Sequence, residues 1–292
     1  MASDEATRRD LLVDLVGIVV IAAVLVAVHL AVPAGVRDGF ALRFAHPDPL
    51  HALTAAYVHL NRAHLRGNVL GFLVAGLTAV LIANVTGEER WFRLSVLALV
   101  TVLPMADGMT TALVIGGNAV GRGFSGVVAG FAGFVLVGAA VVLVRVFDVE
   151  RSLAWDVLAV LSLVVAGEII WAQTGQVPLA VGGLLLVGIA AALWPLAGAA
   201  RNGGWSADRA AASRVGAAAL STALLFAVVS WFVVGLFPHV LVSDGTVTNV
   251  LAHYLGLVFG VVIALWGYRY WGTAAPVVWG GPAPRGDPNR GS

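Results

Sequence analysis

From residue 123 to residue 144 the chain carries no charged side chain, and nearly every position is Val, Ala, Gly, Leu or Phe. An apolar run this long leaves few structural options. About 20 helical residues cross a hydrocarbon core of about 30 Å. A helix also satisfies its own backbone polar groups where there is no water to do so. Seven further runs have the same character. Spans are predicted at about 11–31, 65–85, 91–114, 124–145, 152–172, 178–199, 212–236 and 247–271. Composition agrees, since 60% of the residues are hydrophobic and 11% are charged, against about 25% charged in soluble domains. The expected fold class is all-α, a polytopic transmembrane helix bundle of about eight spans.

The organisation follows from the polar remainder. Residues 1–10 read as a polar N-terminal tail and 11–272 as the transmembrane domain. Residues 273–292, rich in Pro, Gly and Arg, read as a flexible tail. No small-residue cleavage site follows the first run closely, so that run is expected to be a retained helix and not a signal peptide. The stretch 32–63 holds Pro33, Pro47 and Pro49 and is too polar to span, which predicts a long loop at the interface. Segments 152–172 and 178–199, joined by QTGQVP, read as two spans or as one re-entrant element. Either leaves the direction of the later segments unchanged. No soluble domain and no internal repeat stand out.

Several functions are excluded early. There is no cysteine, hence no disulfide, thiol catalysis or thiolate metal site. A net charge of +1 predicts no nucleic-acid partner. All 17 basic residues are arginine, and with abundant Ala, Gly and Val this points to a GC-rich prokaryotic genome, as in a halophilic archaeon. Arginine also predicts orientation, because cytoplasmic loops retain positive charge. With the N-terminus inside, Arg8, Arg9, Arg90, Arg93, Arg145, Arg151, Arg201, Arg209, Arg214, Arg269, Arg285 and Arg290 are cytoplasmic. Arg37, Arg43, Arg62, Arg66 and Arg122 then lie outside. Both termini are therefore expected in the cytoplasm.

Three polar clusters fall at the starts of spans that all run from outside to inside. The first is TAAYVHLNRAHLRGNVLG, residues 54–71, where His64 and Asn68 share a helix face. The second is GFSG, residues 123–126. The third is AHYLGLVFG, residues 252–260, where His253, Gly256 and Gly260 share a face. A lone Ser in a membrane helix packs or bonds a backbone carbonyl in most cases, and an intramembrane His is more often functional. Here a Ser, two His and an Asn converge at one depth. Small residues at Gly126, Gly256 and Gly260 would let two helices approach closely enough for a Ser–His hydrogen bond.

In order and spacing these motifs resemble the rhomboid family of intramembrane serine proteases. The family's first element appears as Thr54, Ala55, Tyr57, His59, His64 and Asn68. Its second appears as Gly123, Phe124, Ser125 and Gly126, and its third as Ala252, His253, Gly256 and Gly260. The resemblance spans about residues 50–271. It implies a helix bundle around a water-filled cavity open to the outside, and cleavage of single-span membrane proteins in the lipid bilayer by a Ser–His dyad. Ser125 would be the nucleophile and His253 the base and then the acid. His64, Asn68 and the Ser125 N–H would hold the oxyanion. His59 would support the site near the cavity mouth, with Gly123, Gly126, Gly256 and Gly260 as structural glycines. No metal or organic cofactor is implied. Leu50 and His51 stand where many members have Trp-Arg, and Ala129 stands where many have an aromatic ring against the base. One span separates the Ser and His helices in the family's basic core, against three here.

Other polar residues read more plainly. Asp107 and Glu168 are taken as markers of helix breaks or of the interface, and Asp14 and Asp156 as wet residues near the cytoplasmic face. His239 and Asp244 read as solvated loop residues, and Trp91, Trp171 and Trp266 as interfacial or packing aromatics. His59 and His64 lack carboxylate company and do not have metal-ligand spacing. Two other functions remain open at this point: a catalytically silent relative that binds membrane clients, and a channel or carrier. The latter would want its polar groups near the bilayer midplane, whereas these lie toward one face.

Overall fold

Seven long helices account for most of the described residues. The computed structural model describes residues 2–176, 209–238, 242–243 and 246–272. The long helices are α1 (Ala2–Ala31), α4 (Arg62–Thr86), α5 (Glu89–Ile115), α6 (Ser125–Arg145), α7 (Arg151–Thr174), α8 (Arg209–Leu236) and α9 (Val250–Trp271). Each is long and apolar enough to cross a membrane, so the protein is an all-α, multi-pass helix bundle. The predicted span 178–199, the tail 273–292 and residues His239 and Asp244 lie outside the described residues.

The polar N-terminal stretch is helical. Helix α1 begins at Ala2 and runs unbroken into the span. Asp14 is not wet: it is 5% exposed and accepts from Arg93 Nε at 2.6 Å, while Asp10 accepts from Arg93 Nη2 at 2.8 Å. Arg93 belongs to α5, so this ion pair ties α1 to α5. Asp156 is exposed, as expected.

The stretch 32–63 is folded and not a plain loop. It forms α2 (Ala34–Gly39), β1 (Leu42–Arg43) and α3 (Pro49–Ala55). Two of its prolines mark helix starts: Pro33 precedes α2 and Pro49 opens α3, where a missing N–H costs nothing. Asp48 caps α3 by accepting from the N–H groups of Leu50 and His51. Strand β1 pairs antiparallel with β2 (Val120–Gly121), which brings this stretch to the loop just before Ser125. Leu42, Phe44, Ala52, Ala55 and Ala112 make a small second core there. Thr54 Oγ1 donates to the Phe40 carbonyl at 3.1 Å, and Tyr57 Oη to the Val100 carbonyl at 2.6 Å. These contacts anchor the segment. Leu50 is exposed, and His51 is engaged with Asp48.

Helix α6 is the axis of the bundle. Every residue from Gly126 to Leu143 is buried, which explains why its sequence is apolar on all sides. Helices α4, α5, α7, α8 and α9 pack around it. Phe72, Phe124 and Phe131 meet edge to face, and Phe134 stacks on Trp91. The closest approach is between α6 and α9. A Cβ at Gly256 would overlap the Gly126 carbonyl, one at Gly260 the Gly130 carbonyl, and one at Gly133 would come within 2.5 Å of the Leu257 carbonyl. Glycines on both helices therefore bring backbone against backbone.

Candidate active site

Ser125 is the first residue of α6, and the turn before it needs glycine. Gly123 has φ +113°, a conformation that side-chain-bearing residues avoid. Its N–H donates to the Ala55 carbonyl at 2.9 Å, joining this turn to the end of α3. A Cβ on Gly123 would lie 2.5 Å from His64 Cε1 and 2.6 Å from His64 Nε2. No side chain caps the start of α6, so its first N–H groups and the positive end of its dipole face the site.

His253 reaches the serine from the first turn of α9. Asn249 starts that helix by accepting from the Ala252 N–H at 3.2 Å. His253 is 5% exposed, and its Nε2 lies 2.8 Å from Ser125 Oγ. Its Nδ1 meets the carbonyl oxygen of Leu236, the last residue of α8. A carbonyl can only accept, so Nδ1 carries the proton and Nε2 is left as the acceptor for the Ser125 hydroxyl. That is the tautomer a general base requires. Leu236 thus orients the imidazole through its backbone, the part an aspartate plays in a triad.

Helix α4 supplies the next pair. Asn61 caps it, accepting from the His64 N–H at 2.8 Å. One turn apart, His64 and Asn68 both reach the Gly123 turn, with Asn68 Nδ2 3.3 Å from the position a Gly123 Cβ would take. Asn68 is buried, and Nδ2 has no hydrogen-bond partner. A buried amide donor left empty costs free energy, and this one lies beside Gly123, the residue two before Ser125. It suits an acceptor that arrives only during a reaction.

His59 is 2% exposed. Its ring stands edge-on to His64 with centroids 5.3 Å apart, and neither ring nitrogen has a partner. Burial, reinforced by the nearby His64, pushes its pKa down to about 3. His59 is therefore a neutral packing ring. The unfolded chain takes up a proton near 6.5 and the folded chain does not until about 3, so stability falls as pH drops through that window. His59→Leu is expected to lose less thermal stability than wild type between pH 6.5 and pH 4. Parallel melting curves for the two would show that another group sets the acid limb.

Two acids depart from the sequence-based reading. Asp107 is neither a helix break nor interfacial: it is 7% exposed within α5, and Thr111 Oγ1 donates to its Oδ1 at 3.3 Å. Its other oxygen fills the space that a Gly126 side chain would occupy. Gly126 therefore makes room for Asp107, while α9 is admitted by Gly256 and Gly260. Glu168 lies inside unbroken α7 and accepts from Ser230 Oγ of α8 at 2.9 Å. The aromatic neighbour of His253 is Phe237, edge-on with ring centroids 6.0 Å apart, and Ala129 is buried where α6 meets Gly256.

Among the described residues, no three His, Asp or Glu side chains are grouped to hold a metal. Leu236 acts through a backbone carbonyl, for which a sequence carries no signature. Asp107 could have been found from the absence of any side chain at Gly126 only if the packing of α5 on α6 were known. Comparison with protein-family models, curated proteins and solved structures finds no match for this chain.

Proposed function

We propose that this protein is a rhomboid-type intramembrane serine protease, cutting peptide bonds in or near the membrane segment of single-span proteins. One observation carries the reading: Ser125 Oγ and His253 Nε2 are 2.8 Å apart, with His253 Nδ1 on the Leu236 carbonyl. Residues 128 positions apart have no other evident reason to meet in this geometry inside a hydrophobic bundle.

In this mechanism His253 Nε2 removes the Ser125 proton as Oγ attacks the substrate carbonyl carbon. The oxyanion accepts from Asn68 Nδ2, the His64 ring and the Ser125 N–H. The C–N bond breaks as the imidazolium gives its proton to the leaving amine. A water, deprotonated by His253, then attacks the acyl ester, and Ser125 recovers its proton. His59, neutral and dry beside His64, adds no positive charge to compete with this proton traffic. On the arginine distribution the site opens to the outer face and both termini are cytoplasmic.

The test is labelling by a fluorophosphonate probe in parallel with cleavage of a single-span model substrate, using the full chain in lipid vesicles. Labelling confined to Ser125, and cleavage lost in Ser125→Ala, are expected. Failure of the probe to label Ser125, together with cleavage no faster than in Ser125→Ala, would leave a client-binding protein. Solute flux unaffected by Ser125→Ala would indicate a channel or carrier.

A further inference from the structure

At the site end of the bundle, α1 and α4 line a groove of about 910 Å³. Its wall is apolar below, with Val26 on α1 and Leu70 and Leu73 on α4. Its rim is cationic, with Arg62 and Arg66 one helical turn apart, and the neutral His29 opposite, its Nδ1 accepting from Arg37 Nη1. Among the described residues neither Arg62 nor Arg66 has a carboxylate within ion-pair distance. Acids at this end are already engaged, Asp38 with Arg122 at 2.5 Å and Asp48 with His51 at 2.5 Å.

The charge arrangement is unfavourable as it stands. Arg62 and Arg66 occupy the first two turns of α4, where the helix dipole is positive and no acidic residue offsets it. Arg37 adds a third cation close by, donating to the His29 carbonyl at 2.7 Å. A bound anion would relieve all of this. The floor is open as well: a side chain at Gly67, between the two arginine turns and Leu70, would meet nothing within 4 Å. Glycine here makes no helix contact, unlike Gly71, whose Cβ would touch Val128 at 3.0 Å. What remains is a lipid-facing slot, apolar along its length and cationic at one end.

We infer that this groove binds one anionic phospholipid, its phosphate held by Arg62 and Arg66 and an acyl chain laid along Gly67, Leu70 and Leu73. Charge complementarity selects the headgroup and the apolar wall selects a lipid over a soluble anion. The site is separate from the Ser125–His253 pair, and the inference stands whether or not the protein is a protease.

The test is native mass spectrometry of the full chain released from micelles doped equally with phosphatidylglycerol and phosphatidylcholine. Wild type is expected to retain one phosphatidylglycerol in clear preference to phosphatidylcholine. The double substitution Arg62→Gln, Arg66→Gln removes two headgroup cations and is expected to reduce that retention about tenfold or more. Gly67→Leu fills the slot without changing charge and is expected to reduce it too. Equal retention of the two lipids by wild type would overturn the proposal, as would a preference unchanged in both variants. Inorganic phosphate binding to delipidated protein as tightly as the lipid would assign the rim to a soluble anion and equally overturn it.

Discussion

His253→Ala is expected to slow peptide cleavage by about 10⁴-fold or more, and to lower the melting temperature as well, because a buried ring and two hydrogen bonds are lost. Two bonds end on this ring, one from Ser125 Oγ and one at the Leu236 carbonyl. Without the ring the hydroxyl has no base, and an alcohol attacking an amide unaided is very slow. Asn68→Ala should cost less, about 10²–10³ in rate, because one oxyanion donor is lost and the others remain. Its amide is unpartnered in the resting protein, so its removal should leave the melting temperature unchanged or slightly raised. The contrast separates a base from an oxyanion donor. Wild-type activity should also fall as pH is lowered and the base is protonated. Equal rates for His253→Ala and wild type, in cleavage and in fluorophosphonate labelling alike, would falsify the dyad.

The helices were readable because their cause is local. Apolar runs such as 124–145 and 65–85 can only be helices in a bilayer, and their ends came within a few residues of α6 and α4. His64 and Asn68 were readable as a pair because helical spacing alone puts them on one face. The failures have a common source in contacts between distant segments. Asp14 looked wet because it lies near the cytoplasmic end of its span, and only α5 supplies Arg93 to bury it. Asp107 looked interfacial because a buried acid has no local signature, and the space it fills belongs to Gly126 on another helix. Residues 32–63 looked like a loop because β1 is two residues long and finds its partner at Val120–Gly121. The orienting group of His253 was unreadable in principle, being a main-chain carbonyl.

Glycine shows the same limit from the other side. The chain has 35 glycines, and spacing alone cannot sort them. Gly67 and Gly71 form the same four-residue repeat as Gly256 and Gly260. In the structure the first of these opens onto a groove, the second packs on Val128, and the last two carry the approach of α9 to α6. The difference lies in which helix comes near, and it decides what a methyl group would cost.

Gly260→Ala should therefore be the most damaging conservative change in the bundle. The added Cβ would overlap the Gly130 carbonyl oxygen and lie 2.6 Å from Gly130 Cα and 2.7 Å from its carbonyl carbon. All three are backbone atoms in the middle of a buried helix, and no side-chain rotation can clear them. Helices α6 and α9 must separate. Overpacking of this kind costs about 1–3 kcal/mol and sometimes more, read as a lowered melting temperature in detergent. The functional cost should be larger than the stability cost alone, because α9 carries His253. A displacement of about 1 Å between reacting groups can cost about 10² in rate. Gly126→Ala meets only the end of the Asp107 side chain and the Ala252 carbonyl at 3.6 Å, so a rotation of Asp107 can absorb it and the loss should be smaller. Gly67→Ala meets nothing and should be neutral, or stabilising by up to about 1 kcal/mol. The expected order of damage is Gly260, then Gly126, then Gly67. If Gly260→Ala melts and cleaves like wild type, the close α6–α9 contact is not what holds His253 against Ser125.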